Sequence, residues 1–553
     1  MSSDTIALGS NGHEPSYLDY KGKHSGLLGW LLSTDHKRIG ILYLSALTVF
    51  LLVGVSFGFL LRLELISPGR TIMDPQTYNS IFTLHGVIMI FLFVIPGIPA
   101  VFGNFVLPIL IGAKDVAFPR INLLSWYLYM IGGLLAVISI FLPGGPADTG
   151  WTFYIPYSVR TGTNVMLALF AAFTLGFSSI LTGLNFVTTV HRLRAPGMTW
   201  FRMPLSVWSL YATAWIQVLA TPIIGITLLM VVVERWLGVG IFDPALGGDP
   251  VLFQHLFWIY SHPAVYIMIV PAMGVVSEII PVFTRRTIFG YKFIAFSSIA
   301  IALFGSLVWA HHMFTVGMSD TGQFIFSFLT MIVAIPSAIK VFNWIATLYK
   351  GSIELAPPML YVLAFIFLFS IGGLTGVMQG VLSVDIQVHD TSFIVAHFHY
   401  VMFGGTGFGF FAAMHYWFPK MFGRMYNQKT AKTAFWFLFI GFNILYFPMF
   451  IMGWLGMPRR YYDYLPEFQS YHLISTIGSW ITVLGIILMF YNLIRSLKNG
   501  QIIKEKNIWG GETLEWQIDT PPIHENFYEI PVITSRPYQY KNNEEVLTHK
   551  EHK

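Results

Sequence analysis

Twelve stretches of predominantly apolar residues run along the chain, at about 39–61, 81–110, 123–143, 165–189, 204–233, 252–283, 288–313, 322–349, 358–381, 391–418, 433–454 and 472–496. A helix needs about 20 such residues to cross the hydrocarbon of a bilayer. The pattern therefore predicts an all-α, polytopic membrane protein with twelve transmembrane helices. The first stretch lies too deep in the chain, and has too many successors, to be a cleaved signal peptide. What remains is a polar N-terminal tail (1–38) and a charged C-terminal tail (499–553), which flank a twelve-helix core at 39–498. No fixed-period repeat or low-complexity tract interrupts it.

Composition supports this picture. Of 553 residues 55% are hydrophobic, 16% aromatic and only 11% charged; soluble domains carry about 25% charged residues. Soluble multidomain enzyme, disordered chain, coiled coil and nucleic-acid binder are all excluded. Cysteine is absent, which removes disulfides, thiolate nucleophiles and Cys-ligated metal sites. The net charge of +5 matters less than its placement. Seventeen Lys and Arg fall in the connections and flanks on the side of the termini and six on the other, namely Arg62, Arg70, Arg160, Arg235, Arg459 and Arg460. The side richer in basic residues faces the cytoplasm or matrix, so both termini are expected there. Each of the six outer residues calls for its own partner.

Ionisable side chains are costly in hydrocarbon and are usually functional where they occur. Of 17 histidines, six lie within predicted spans in metal-like groupings: His85, His262, His311, His312, His397 and His399. On an α-helix each residue turns the side chain by about 100°, so His397 and His399 point about 200° apart. Two ligands to one metal would be three or four residues apart. Opposed histidines instead suit two centres, one on each side of a helix, and His85 is free to complete one of them. The adjacent pair His311-His312, with His262 from another span, can converge on one ion; three imidazoles without thiolate or carboxylate suit copper, zinc or iron. Tyr266 follows His262 by four residues and shares its helix face. A lone intramembrane histidine is more often a packing residue, but an H-x-H, an H-H and an H-x-x-x-Y together are not explained that way.

At this point the sequence resembles subunit I of the haem-copper terminal oxidases across nearly all of 33–519. The resemblance is carried by Ser33-Thr-Asp-His-Lys37, Arg62-Leu-Glu-Leu65, His85-Gly86, Ile111-Gly-Ala-Lys-Asp-Val-Ala-Phe-Pro-Arg120, Arg194-Ala-Pro-Gly-Met198 and Trp309-Ala-His-His-Met313. It continues through His389-Asp-Thr391, Ala396-His-Phe-His-Tyr-Val401, Gly456-Met-Pro-Arg-Arg-Tyr461 and Thr513-Leu-Glu-Trp516. It implies twelve helices enclosing two haems and a copper ion, and four-electron reduction of O2 to water with proton uptake and pumping. His85 and His399 would be axial ligands of a low-spin haem and His397 of a high-spin haem, of the A type, with O and B left open. His262, His311 and His312 would hold copper, and Tyr266, cross-linked to His262, would supply an electron and a proton. Arg62 would bond a substituent of the low-spin haem, while Arg459, Arg460 and Trp151 would face haem propionates. His389 and Asp390 would be a magnesium site completed by another subunit. Cytochrome c is the implied donor. The implied partners are a subunit II carrying the Cys-ligated copper centre that this chain cannot make and a subunit III, in a bacterial inner membrane.

Two proton routes are implied as well. Lys340, deep in the eighth span, resembles the family's lysine-path residue, with Ser337 and Thr330 as polar companions and Tyr266 as its end. Glu278 is read either as a relay or as a boundary carboxylate. Asp115 matches the entrance of a second route, lined by Asn104, Asn122, Ser178, Ser179 and Asn185, each of which also makes sense as a helix-packing hydrogen bond. Here the chain departs from many relatives: Ala264 stands where they have a glutamate, and Tyr260-Ser261 lies one turn back, as in one branch of the family. The Tyr260 hydroxyl, with water, is expected to replace that carboxylate as donor. Two competing functions are weighed. A quinol oxidase of the same superfamily would have polar quinone-binding residues in its first helices, and Ile41–Leu61 has no charged residue or histidine. A multi-span transporter would show no visible absorption.

Overall fold

The computed structural model describes residues 14–540. All twelve predicted spans are helical. In chain order they are α1 (His36–Glu64), α2 (Pro75–Leu110), α3 (Pro119–Ile138), α4 (Val165–Arg192), α5 (Leu205–Leu237), α6 (Pro250–Thr284), α7 (Tyr291–Gly305), α8 (Asp320–Leu348), α9 (Pro357–Gly380), α10 (392–422), α11 (Gln428–Trp454) and α12 (Gln469–Asn499). Ten are long and apolar enough to cross a membrane as single helices. The other two are α10, and α7 with its continuation. The ends obey local chemistry. Asp35 accepts the amides of Lys37 and Arg38 at the start of α1, Asp74-Pro75 and Asp249-Pro250 open α2 and α6, and left-handed Gly238 and Gly423 close α5 and α10. Carboxylate caps and an N1 proline satisfy or remove amides that a helix start leaves bare.

Three departures from the expected spans shape the interior. The seventh span is not one helix to residue 313: α7 ends at Gly305, and Trp309–Met313 is a short 3₁₀ turn. The third helix begins and ends about five residues earlier than its apolar stretch. Finally, α2 and α10 widen into π-helical turns at Ile88–Val94 and Met402–Gly407, directly inward of His85 and His399. Such turns cluster at functional sites.

The described parts of both tails are packed against the bundle. Residues 14–35 and 500–540 meet on one end of the bundle, where Ser16 bridges to Ile523, and Arg424–Met425 pairs antiparallel with Gln501–Ile502. The C-terminal segment thus forms a cover over the ends of α1, α6 and α10. Helix α6 is packed among its neighbours along nearly its whole length, and it carries His262.

Candidate active site

His262 projects from α6 toward His311 and His312 on the 3₁₀ turn. The ligating nitrogens of the three all lie within 4.8 Å of one another, with His262 Nδ1 2.9 Å from His312 Nε2. The expectation that the pair lies on an α-helix needs correcting, since a 3₁₀ turn has three residues per turn. The wider divergence still suits convergence on one point. Two of the rings are held from behind. His311 Nδ1 is 3.0 Å from Thr330 Oγ1 on α8, and His312 lies flat on Trp258, with centroids 3.6 Å apart. Outer contacts of this kind fix ring orientation and tautomer in metal sites. His262 Nε2 is buried with no protein partner, and the Tyr266 ring stands edge-on to it at 4.9 Å. Gly305 permits this: a Cβ there would come within 2.5 Å of the tyrosine ring.

On α10 the two histidines diverge as the spacing predicts. His397 Nδ1 donates to Gly372 O at 3.0 Å, beside Thr375 Oγ1, both on α9. His399 stacks on Tyr446 of α11 at 4.1 Å. His399 and His85 line one cavity of about 260 Å³, together with Arg62, Trp151, Arg459 and Arg460. His85 Nδ1 donates to Gly54 O at 2.7 Å and His399 Nδ1 to Val395 O at 2.8 Å. A neutral imidazole that donates from Nδ1 keeps its lone pair on Nε2. Two such lone pairs on the wall of an apolar cavity fit the two axial positions of a planar iron macrocycle. The cradle is tight: a Cβ on Gly58 would lie 2.9 Å from the His85 ring. Three imidazoles whose nitrogens converge within 4.8 Å likewise fit a copper ion.

At the rim of the cavity Arg459 is paired with Asp390, Nη2 to Oδ1 at 2.5 Å. That guanidinium and its neighbours hold the Asp390 carboxyl below its ordinary range, against the upward push of burial. Burial and the adjacent Arg459 lower Arg460 to about 10. His389 Nδ1 bonds Asp385 at 2.8 Å, a partner the sequence did not single out, and its Nε2 is 4.0 Å from Asp390.

The structure sorts the proton-route candidates. Lys340 is fully buried, but its partners are Ser298 Oγ (2.7 Å) and Ile294 O (3.1 Å) on α7. Ser337 bonds only its own helix, and Thr330 serves His311, so neither expected companion touches the lysine. Glu278 is buried rather than a boundary group; it accepts from Ser206 Oγ at 2.8 Å and Tyr538 OH at 2.5 Å. Tyr538 and the buried Glu515, whose carboxyl is pushed up by burial, belong to the C-terminal cover and were invisible in the span pattern. Tyr260 and Ser261 are buried on α6 beside Ala264. Asn185 holds the loop before α3 through Phe118 N at 2.9 Å, and Ser178 bonds Ser125 O at 2.7 Å. Both are packing contacts. Asn104 Oδ1, both polar atoms of Asn122, and Ser179 Oγ instead lie buried without protein partners. In the loop after α2, burial and the nearby Asp35 raise the Asp115 carboxyl to about 8.

A bundle of membrane helices that converges imidazoles on one metal point, beside a cavity with two facing histidines, defines an integral-membrane metalloenzyme. The family model of cytochrome c and quinol oxidase polypeptide I matches residues 38–481, and the chain belongs to that family. It is the catalytic subunit of a terminal oxidase, built around haem and copper. It is 43% identical to cytochrome c oxidase subunit 1 of Thermostichus vulcanus over 509 residues, covering 92% of each chain. It is 41% identical to that of Cereibacter sphaeroides (91% and 95% covered) and 40% identical to that of Bacillus subtilis (92% and 82%). A cryo-EM structure of a haem-copper terminal oxidase dimer shares the fold, with a TM-score of 0.68 at 21% identity, over 84% of this chain and 85% of that one.

Proposed function

We propose that this subunit reduces O2 to water between a haem on His397 and a copper ion on His262, His311 and His312, with electrons from a cytochrome c. The observation that carries this is the convergence of the three imidazoles within 4.8 Å, with His311 and His312 braced from behind, beside a helix whose two histidines face opposite ways. When bound, the copper and haem iron supply electrons to O2 and the site at which it is split.

The protein's own groups do the rest. His85 and His399 would hold the second haem, and α10 carries a ligand for each haem, His397 and His399, on one helix. Trp151, Arg459 and Arg460 stand at the rim for its propionates, and Arg62 bonds a ring substituent. Arg459 is shared with Asp390, so propionate binding is linked to the magnesium site of His389 and Asp390. Tyr266, whose ring stands edge-on to His262, offers a phenol proton and would be cross-linked to that histidine. Protons reach it through Lys340, with Ser298 in the place expected of Ser337, and Glu278 stands at the inner end. Asp115 admits protons to the second route past Asn104, Asn122 and Ser179, and Tyr260-Ser261 ends it. Subunits II and III complete the complex in a bacterial inner membrane, with both tails cytoplasmic, and subunit II brings the thiolate copper that a cysteine-free chain cannot hold.

The test is His312→Ala in the purified complex. Copper content and O2 consumption should both be lost while the low-spin haem spectrum stays; full activity would sink the copper assignment. Turnover with reduced cytochrome c but not with quinol separates the two donors.

A further inference from the structure

A stripe of hydroxyl and amide groups runs along the buried side of α5. Ser209, Thr213, Gln217 and Thr221 follow one another at four-residue intervals, so they share one face of the helix, and each is at most 3% exposed. That face meets two neighbours. A Cβ on Gly274 of α6 would lie 2.9 Å from Ser209 Oγ; on α4, a Cβ on Gly183 would lie 2.9 Å from Gln217 Cβ and one on Gly176 3.3 Å from Thr221 Cγ2. At the far end Thr221 faces the hydroxyl of Tyr260 on α6.

The polar atoms of this stripe are not spent on the helix. Thr227, further along α5, and Thr182 and Thr189 on α4 all give their hydroxyl to the carbonyl four residues back, a common habit of helical threonines. Thr213 and Thr221 do not. Thr213 Oγ1, Gln217 Oε1 and Thr221 Oγ1 are buried without a protein hydrogen bond. Pro222 lies in the same turn and leaves the Val218 carbonyl without its helical donor. Buried groups of this kind are satisfied by ordered water, and side chains one turn apart, about 5–6 Å, are spanned by a single molecule. At the near end Ser209 Oγ is 3.4 Å from Ser298 Oγ, which accepts the Lys340 ammonium at 2.7 Å. Having accepted from the lysine, Ser298 has its own proton to give, to Ile294 O at 3.3 Å or to Ser209.

We propose that water in this seam joins Ser209, Thr213 and Thr221 into a proton line from Lys340 to Tyr260, a branch that connects the two proton routes. This rests on the reading of Tyr260 as the end of the second route. Each hydroxyl or water takes a proton on a lone pair and releases the one it carried to the next oxygen. Every oxygen on the line, that of Tyr260 included, therefore ends as neutral as it began, and Lys340 regains its proton from the inner side. Gln217 keeps its amide protons and positions the water by accepting from it.

The experiment mixes the fully reduced, purified complex with O2 and reads proton uptake with a pH-sensitive dye, in wild type, Thr213→Val, Gln217→Leu and Thr221→Val. The two valine variants should each slow uptake about tenfold, the scale of one hydrogen bond lost from a barrier, and Gln217→Leu should slow it less. Bands of bound water in the infrared difference spectrum should weaken in all three. Thr227→Val, whose parent hydroxyl bonds its own helix, should match wild type. Thr213→Ser keeps the hydroxyl and should restore uptake; a serine variant as slow as the valine makes the role one of packing and overturns the proposal. Parental uptake in Thr213→Val overturns it as well. So does slowing in Thr221→Val and Ser179→Ala with none in Thr213→Val, which feeds Tyr260 from the Asp115 side. On a Lys340→Met background Thr213→Val should slow uptake no further, and an additive effect overturns the link to the lysine. If Thr213→Val fails to assemble with its haems, Thr213→Ala takes the same readings. Failure of the underlying Tyr260 reading looks different, because Tyr260→Phe would then take up protons at the parental rate.

Discussion

Two fully buried lysines teach opposite lessons. Lys420, at the inner end of α10, gives its ammonium to the carbonyls of Lys506 (2.8 Å) and Ile518 (2.9 Å) and to Thr520 Oγ1 (2.6 Å), and it lies over the Trp516 ring. Lys340, in the last third of α8, has one hydroxyl and one carbonyl for three protons. Lys37 at the foot of α1 is like Lys420, with Asp35, His524 O and Asn526 around it. A buried cation with a full set of acceptors is a rivet that fastens the C-terminal cover to the bundle. One with fewer acceptors than protons is not a rivet of that kind, and suits a place on a proton route. Burial alone does not distinguish them; the count of acceptors does.

The largest effect that tests this contrast is structural. Lys420→Met leaves several buried acceptors without a donor and should destabilise the subunit by about 3–5 kcal/mol, the scale of breaking a buried charged network. A lowered unfolding midpoint and protease cleavage within 500–540 would report it; an unchanged midpoint breaks the comparison. Lys340→Met should do the reverse. Stability should hold, and reduction of the high-spin haem should slow roughly a hundredfold, about 2.7 kcal/mol of barrier. Stopped-flow spectra read this directly, and parental kinetics would remove Lys340 from the route. Ser298→Ala removes one of the two acceptors of Lys340 and should cost about 1 kcal/mol, a roughly fivefold slowing. Ser337→Ala, whose hydroxyl touches only its own helix, should leave the rate alone.

The smallest effect separates two carboxylates at the inner rim. Burial pushes Asp35 up, but Lys37 and His524 outweigh it and hold the group well below the carboxylate range. Asp115 has no such contact and is raised to about 8. Between an unfolded value near 3.9 and pH 8, the folded chain keeps a proton that the unfolded chain has released. Asp115 therefore favours the folded state below that window and loses this contribution as pH rises through it. Proton entry through Asp115 should fall off above pH 8. Asp115→Asn should flatten that limb of the turnover–pH profile, and an unaltered limb would assign it to another group.

Much of this was legible in the chain. Apolar runs of the right length could be read as spans because a bilayer permits few alternatives, and the two-residue spacing of His397 and His399 already set them on opposite faces. The 3₁₀ turn under His311-His312 was not legible, since an apolar run continues through Gly305 without marking where the helix ends. Nor could spacing reveal that Thr330 belongs to His311 and Ser298 to Lys340, because periodicity gives a residue's face but not the neighbour that face meets.

The sequence by itself determined the number and extent of the apolar spans, the absence of thiolate chemistry and which histidines lie within those spans, all of which depend on residue type and local period. Only the tertiary structure decided which histidines share a cavity, that Ser298 rather than Ser337 meets Lys340, and that the C-terminal segment packs over Glu278 and Lys420. Those pairings join residues far apart in the chain, and nothing in the local period of either segment encodes the other.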